Sequence, residues 1–236
     1  MKIRVLLFAV LLALAASAAD TERTAAGNLV ITPMNHATVL FQFGGKNIYV
    51  DPWSQANYSS APRADYIFIT DIHGDHMDAK AIDQIKKEGT IIVAPAAVAK
   101  TITAATVINN GEKKKFGDID VEAVPMYNLQ RGPQPGALYH TKGRGNGYVF
   151  TFGGKRVYIA GDTEAIPEMK DLKSIDLAFL CMNLPYTMTP EEAAGAVKSF
   201  RPKVVYPYHY RGSDPNAFAA ALKDEKGIEV RLRNWY

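Results

Sequence analysis

The chain repeats itself. Residues 39–51 read VLFQFGGKNIYVD and residues 148–162 read YVFTFGGKRVYIAGD. Phe41, Phe43, Gly44, Gly45, Lys46 and Tyr49 match Phe150, Phe152, Gly153, Gly154, Lys155 and Tyr158. Each copy has the form of a β-hairpin, with two apolar or alternating runs around a Gly-Gly turn. The echo continues beyond the hairpins. ADYIFIT follows the first and SIDLAFL the second, and both are short enough and apolar enough to be buried strands. A helical stretch comes next in each half, at residues 79–87 and from Thr189 onward. In the second, Thr189 can cap, Pro190 suits the first helical position, and Glu192 completes a capping box. Each helix leads into another apolar strand, IIVAP or VVYPYH. Strands buried on both faces and joined through helices require a sheet with helical cover. Two such units pack most simply sheet to sheet, so the expected fold is α/β: a four-layer αββα sandwich with pseudo-duplicated halves.

Residues 1–19 differ from the rest. Lys2 and Arg4 precede an apolar run from Val5 to Ala16, and Ala16-Ser17-Ala18 supplies small residues for cleavage. The pattern is that of a secretory signal peptide cut near Ala18 or Ala19. The run, at roughly 12 residues against the roughly 20 a span needs, is too short for a comfortable membrane anchor. The expected organisation is a signal peptide over residues 1–19 and one domain over residues 20–236, placed in the periplasm or secreted. Without Lys2 and Arg4 the chain holds 25 basic against 24 acidic residues, and no basic patch argues for nucleic acid. Cys181, the only cysteine, cannot form an intramolecular disulfide and is expected as a buried thiol.

The five histidines are His36, His73, His76, His140 and His209. Three of them lie at or just past the ends of apolar strands. YIFIT leads to Asp71, His73, Asp75 and His76, RVYIAG leads to Asp162, and VVYPY leads to His209. Ligands in layered α/β folds bind where strands end, so these groups can converge on one point. In DIHGDH, Asp71 and His73 are two apart and share a face of an extended chain. Gly74 then permits a turn that brings Asp75 and His76 toward the same place. Imidazoles and carboxylates so grouped suit zinc, manganese or iron.

HGDH, the AGDT of residues 160–163 and the YHY of residues 208–210 resemble the metallo-β-lactamase superfamily, whose signature is H-x-H-x-D-H, a lone His, the Asp of GDT and a final His. The likeness runs from about Asn28 onward. NHAT, residues 35–38, and the long GNGYVFTFGGKRVYIAGDTE look most like the lactonase-like, RNase Z-related hydrolase branch. The resemblance implies that His73 is a ligand of a first metal and that Asp75, His76 and His209 are ligands of a second. It implies too that Asp162 bridges both, and that a bridged hydroxide is the nucleophile. In some branches the residue matching Asp75 also handles protons.

This chain departs from that pattern twice, both times at the first metal. Asp71 stands where the signature has its first His. The lone central His is missing from the end of DVEAVP, where Asn128 is the nearest polar residue and His140 lies twelve positions later. Three readings of Asp71 stand open. It is a ligand that favours a harder metal; or it accepts the second ring hydrogen of a ligand histidine, with His140 or His36 completing the site; or the first site is weak and one metal binds. His140, in a polar basic segment, reaches the metal, binds an anionic substrate or is an exposed loop residue. His36, Asn128 and Tyr210 are candidates for substrate or supporting contacts and Arg131 and Arg211 for positive charge, while Tyr186, Tyr208 and Tyr210 either line the cleft or simply fill it.

The expectation is an exported metal-dependent hydrolase using one or two ions of Zn2+ or Mn2+/Fe2+. Asp75 and His140 are its candidate catalytic residues. Its expected substrate is a small molecule, anionic or neutral, with an ester-like, lactone or phosphodiester bond. The branch resembled is not the antibiotic-resistance one, which points away from β-lactams. The rival is a non-catalytic metal- or ligand-binding protein on the same fold.

Overall fold

A computed structural model describes residues 19–236, so the signal peptide expected over residues 1–19 lies, but for its last residue, outside the described residues. Two seven-stranded sheets form, each in strict chain order. The first comprises β1 (Asp20–Thr24), β2 (Gly27–Asn35), β3 (Thr38–Phe43), β4 (Lys46–Val50), β5 (Tyr66–Phe68), β6 (Ile91–Ala94) and β7 (Thr106–Val107). The second comprises β8 (Lys113–Phe116), β9 (Ile119–Met126), β10 (Gly145–Phe152), β11 (Lys155–Ile159), β12 (Leu177–Cys181), β13 (Val204–Tyr208) and β14 (Glu229–Val230). In the first, β1 to β4 pair antiparallel and β4 to β7 parallel. In the second, β8 to β11 pair antiparallel and β11 to β14 parallel. The duplication seen in the two Gly-Gly hairpins therefore extends over both halves, strand for strand.

Side-chain alternation sorts the layers. Phe41 and Phe43 of β3 face Phe150 and Phe152 of β10, with the Phe41 and Phe152 rings 5.5 Å apart, inside the core between the sheets. The intervening Leu40 and Tyr49 point the other way. They join Ile67 and Ile69 under α1 (Ala79–Ile85) and α2 (Ala96–Ala99) through Ile82, Ile85 and Val98. On the second sheet α3 (Pro190–Phe200) packs Phe200 against Tyr158 at 5.8 Å. A second C-terminal helix, α4 (Pro215–Leu222), lies beside it and buries Phe218 and Leu222. The order of layers is the αββα sandwich. Thr189 caps α3 with the complete capping box expected from TPEE. Among the described residues, no helix is long and apolar enough to cross a membrane.

The halves are also tied where the strands end. Tyr148 Oη donates to the carbonyl of Ile69 at 2.8 Å, and Asn146 N donates to that of Thr70 at 2.9 Å. Gly161, just past β11, has φ +64° and sits where a Cβ would come 2.7 Å from Met126 Sδ. A left-handed backbone and this close approach both require glycine there.

Candidate metal centre

Every residue of the site is carried past the end of a strand. His36 is in the β2–β3 turn, Asp51 follows β4, Asp71 to His76 follow β5, and Asn128 follows β9. His140 precedes β10, while Asp162 and His209 follow β11 and β13. Three of the five described non-glycine residues with positive φ are here, namely His36 (56°), Asp51 (46°) and His209 (46°). Such backbone is costly for these residue types and persists where the surroundings enforce it. His209 N donates to the His36 carbonyl at 3.0 Å, and His36 N to the Trp235 carbonyl at 3.0 Å, so the chain terminus helps hold both turns.

The hydrogen bonds fix which ring nitrogens face inward. His76 Nδ1 donates to Asp51 Oδ2 at 2.8 Å, and His140 Nδ1 donates to Asn128 Oδ1 at 2.6 Å. A carboxylate or amide oxygen only accepts, so the neutral form of each ring has its lone pair on Nε2. These two atoms lie 3.4 Å and 3.3 Å from Asp162 Oδ2. On the far side, His209 Nδ1 is 3.5 Å from Asp162 Oδ1 and its Nε2 is 3.4 Å from Asp75 Oδ2. His73 Nδ1 is 2.8 Å from Asp71 Oδ2. Buried and without a hydrogen-bond partner are His76 Nε2, His140 Nε2, Asp162 Oδ1 and both His209 ring nitrogens. Buried polar atoms normally find partners; five orphans turned toward one space fit a bound cation. Ligand-type side chains meet here in three groupings. Asp71, His73 and His140 form a first, His76, Asp162 and His209 a second, and His36, Asp75 and His209 a third that shares His209 with the second.

The electrostatics point the same way. Burial opposes charge on His76, yet Asp162, Asp51 and Asp75 hold its pKa well above the usual value. Burial raises Asp162 and Asp75, but the surrounding histidines override it and keep both carboxyls well below their usual range. Asp71 is likewise raised by burial and brought down to about 2 by His73, His76, Arg144 and His140. A site that draws a proton so strongly onto the His76 ring is one that a metal can occupy in its place.

His36 plays a different part. Its Nε2 lies 3.1 Å from Asp75 Oδ2, and burial, ahead of its neighbours, pushes its pKa down to about 4. The ring is neutral, and the carboxylate requires its one proton on Nε2. Nδ1 therefore accepts from Tyr236 Oη, 2.7 Å away. His36 is thus a clamp on Asp75, with no lone pair turned to the cluster.

Several sequence expectations are refined. His140 is buried, which removes the exposed-loop reading. Asn128 points at His140 with its oxygen and donates its Nδ2 to the Tyr186 carbonyl at 2.8 Å, so it holds the central histidine in place. Tyr208 does not line the cleft: it is fully buried and its hydroxyl accepts from Gly161 N. Tyr210 turns its hydroxyl to the Arg233 carbonyl, and only its N–H, donated to Tyr236 Oη, bears on the site. Arg131 is taken by Glu164 and Glu192. Tyr186 does stand at the cleft. Asp51, Arg144 and Tyr236 were not singled out from sequence. The duplication carried a signal for Asp51, because its hairpin ends on an aspartate just as the copy leads to Asp162.

Residues 30–209 match the beta-lactamase superfamily domain. A UPF0173 metal-dependent hydrolase of Geobacillus sp. is 31% identical over 84% of this chain and 94% of its own length. One from Symbiobacterium thermophilum is 32% identical over 85% and 90%. Among solved structures, a Parabacteroides distasonis protein assigned to the metal-dependent hydrolases superposes with a TM-score of 0.87 at 45% identity, covering 92% of this chain and 98% of that one. Igni18, a metallo hydrolase from Ignicoccus hospitalis, gives 0.73 at 25% identity over 86% and 94%.

Proposed function

The chain belongs to the metallo-β-lactamase superfamily and is a metal-dependent hydrolase; from that premise we propose a two-metal centre acting on a small molecule with an ester-like, lactone or phosphodiester bond. Asp71, His73 and His140 would hold a first ion and Asp75, His76 and His209 a second, with the Asp162 carboxylate within reach of both sets. The convergence of orphaned ring nitrogens on Asp162 carries this reading. Such ions polarise the scissile bond and lower the pKa of bound water toward neutrality. Three carboxylates beside four imidazoles favour manganese or iron alongside zinc.

The protein's own groups supply orientation. Asp51 and Asn128 fix the tautomers of His76 and His140. Asp75 is, at 31% exposure, the most open carboxylate of the set. His36 occupies its Oδ2, and Oδ1, 3.9 Å from His76 Nε2, is the oxygen it would offer to the second ion. The lactonase-like, RNase Z-related branch is part of the proposal and rests on NHAT, residues 35–38, and on the run GNGYVFTFGGKRVYIAGDTE. Export is part of the proposal and rests on the pattern of residues 1–19; the mature protein should begin near Ala19 or Asp20 on N-terminal sequencing.

Metal analysis of the purified protein, after growth with manganese, iron and zinc supplied, is expected to give about two ions per chain. His76→Ala and Asp162→Ala should each lose metal and hydrolysis together. A chain that takes up no metal under these conditions overturns the reading in favour of a non-catalytic binding protein.

A further inference from the structure

The cleft over the cluster has a volume of about 640 Å³ and two unlike walls. One is apolar. Leu184 and Tyr186 are 41% and 44% exposed, among the few large apolar side chains left open to solvent in the described residues, and both line the cleft with Pro185 and Tyr139. Tyr139 and Tyr186 pack edge to face at 4.9 Å. This wall is anchored to the first grouping, because Asn128 bonds both the Tyr186 carbonyl and the His140 ring. Apolar side chains held open at a concave site are a ligand surface.

The other wall carries a charge. Arg211 lines the same cleft, with its guanidinium 5.2 Å from the Trp53 ring and 5.7 Å from that of Tyr236. Cation–π contact with two rings holds its charge at the cleft. Arg131, Arg144, Arg231 and Arg233 each hold a carboxylate, but Arg211 has no ion-pair or side-chain hydrogen-bond partner among the described residues. It is anchored to the second ion's set through Tyr236, His36 and Asp75. No lysine or second arginine lines the cleft.

We propose that this cleft binds an amphipathic carboxylate, with the carboxylate on Arg211, an apolar chain or ring against Leu184 and Tyr186, and the scissile bond over Asp162 between them. One guanidinium matches a single carboxylate in charge and in its two-oxygen fork; a phosphate dianion would call for further cations. The inference rests on the hydrolase reading and names its substrate class.

The test uses the metal-loaded protein and a non-hydrolysable ketone probe, 4-oxododecanoate, set against its neutral methyl-ketone counterpart tridecane-2,5-dione and against short 4-oxopentanoate. Binding is read by calorimetry, and metal content is measured on every sample. The wild type should bind 4-oxododecanoate at least about tenfold more tightly than either control. Arg211→Gln should abolish the preference over the neutral diketone. Leu184→Ala should weaken both long-chain compounds several-fold while leaving 4-oxopentanoate unchanged. Both side chains are exposed, so the variants should fold. Equal binding of the acid and the diketone by the wild type, or a preference that survives Arg211→Gln, overturns the proposal. Failure of the metal-centre reading shows separately, as missing metal in the wild type.

Discussion

Arg144 grips Asp71 through two donors, Nε to Oδ1 at 3.0 Å and Nη2 to Oδ2 at 2.9 Å. Asp71 is fully buried and Arg144 mostly so. Where the superfamily signature has a neutral imidazole, this chain has an added negative charge and, from another strand's leading edge, a cation to offset it. The bidentate pair also fixes the carboxylate plane, leaving on Oδ2 a lone pair that faces His73.

Arg144→Gln should therefore weaken metal binding at the first grouping by about 10- to 100-fold, the range typical of lost supporting contacts. Asp71→His alone should do no better, because it leaves Arg144 buried beside a metal with no anion. The double variant Asp71→His/Arg144→Gln should recover first-site affinity and shift preference toward zinc. Competitive metal titration checks all three. If Arg144→Gln binds both ions as tightly as the parent, the pair is not coupled to the metal.

Tyr236 acts at two removes from the second ion's set. Its hydroxyl accepts from Tyr210 N and donates to His36 Nδ1, which sets the proton that His36 gives to Asp75. Tyr236→Phe should keep the fold and lower second-site affinity by up to about tenfold. Removing Trp235 as well should cost far more, since that ring is fully buried and its carbonyl holds His36 N. Thermal unfolding with and without metal separates the two effects.

The duplicated hairpins made the sandwich legible, because a repeat of buried strands and helices admits few packings. The strand-end groups His76, Asp162 and His209 were legible for the same reason. What the sequence hid depends on distance along the chain. Arg144 lies 73 residues from Asp71, and Tyr236 lies 200 from His36. Local spacing cannot show such pairs. His140 was ambiguous because its neighbours Lys142, Gly143 and Arg144 suggest an open loop, whereas Asn128 and the tie of Arg144 to Asp71 draw the segment inward.

Asp51 is buried beneath His76 and accepts from Thr70 N at 2.8 Å, Thr70 Oγ1 at 2.6 Å and His76 Nδ1 at 2.8 Å. Its removal leaves the Thr70 N–H and hydroxyl without their acceptor, and His76 Nδ1 with only Thr70 Oγ1 at 3.1 Å. Asp51→Ala should destabilise the fold by about 3 kcal/mol or more, since each orphan costs roughly 1–3 kcal/mol. Asp51→Asn should fold better, yet still lose metal affinity, because an amide holds the His76 ring less firmly than a carboxylate. Urea denaturation gives the first difference and metal titration the second. An Asp51→Asn variant with unchanged metal affinity would show that His76 needs no such support.

Glu164 does for the 128–131 loop what Asp51 does for His76. The carboxylate accepts from Leu129 N at 2.7 Å, Gln130 N at 3.0 Å and Arg131 N at 2.9 Å, and pairs with Arg131 Nη1 at 3.1 Å. Burial raises its pKa, but these donors outweigh burial and bring it below the ordinary 4.5. A carboxyl depressed in the folded state stabilises it above the unfolded pKa, and that stability is lost as pH falls through the folded value. Glu164→Gln should thus destabilise by about 2 kcal/mol at neutral pH, the scale of charge-assisted hydrogen bonds. The gap between parent and variant in urea midpoint should shrink as pH drops below 4.5. Because the loop begins at Asn128, the variant should also loosen His140, lowering first-site metal affinity more than second-site affinity. A gap that stays constant on acidification would place the stabilising charge elsewhere.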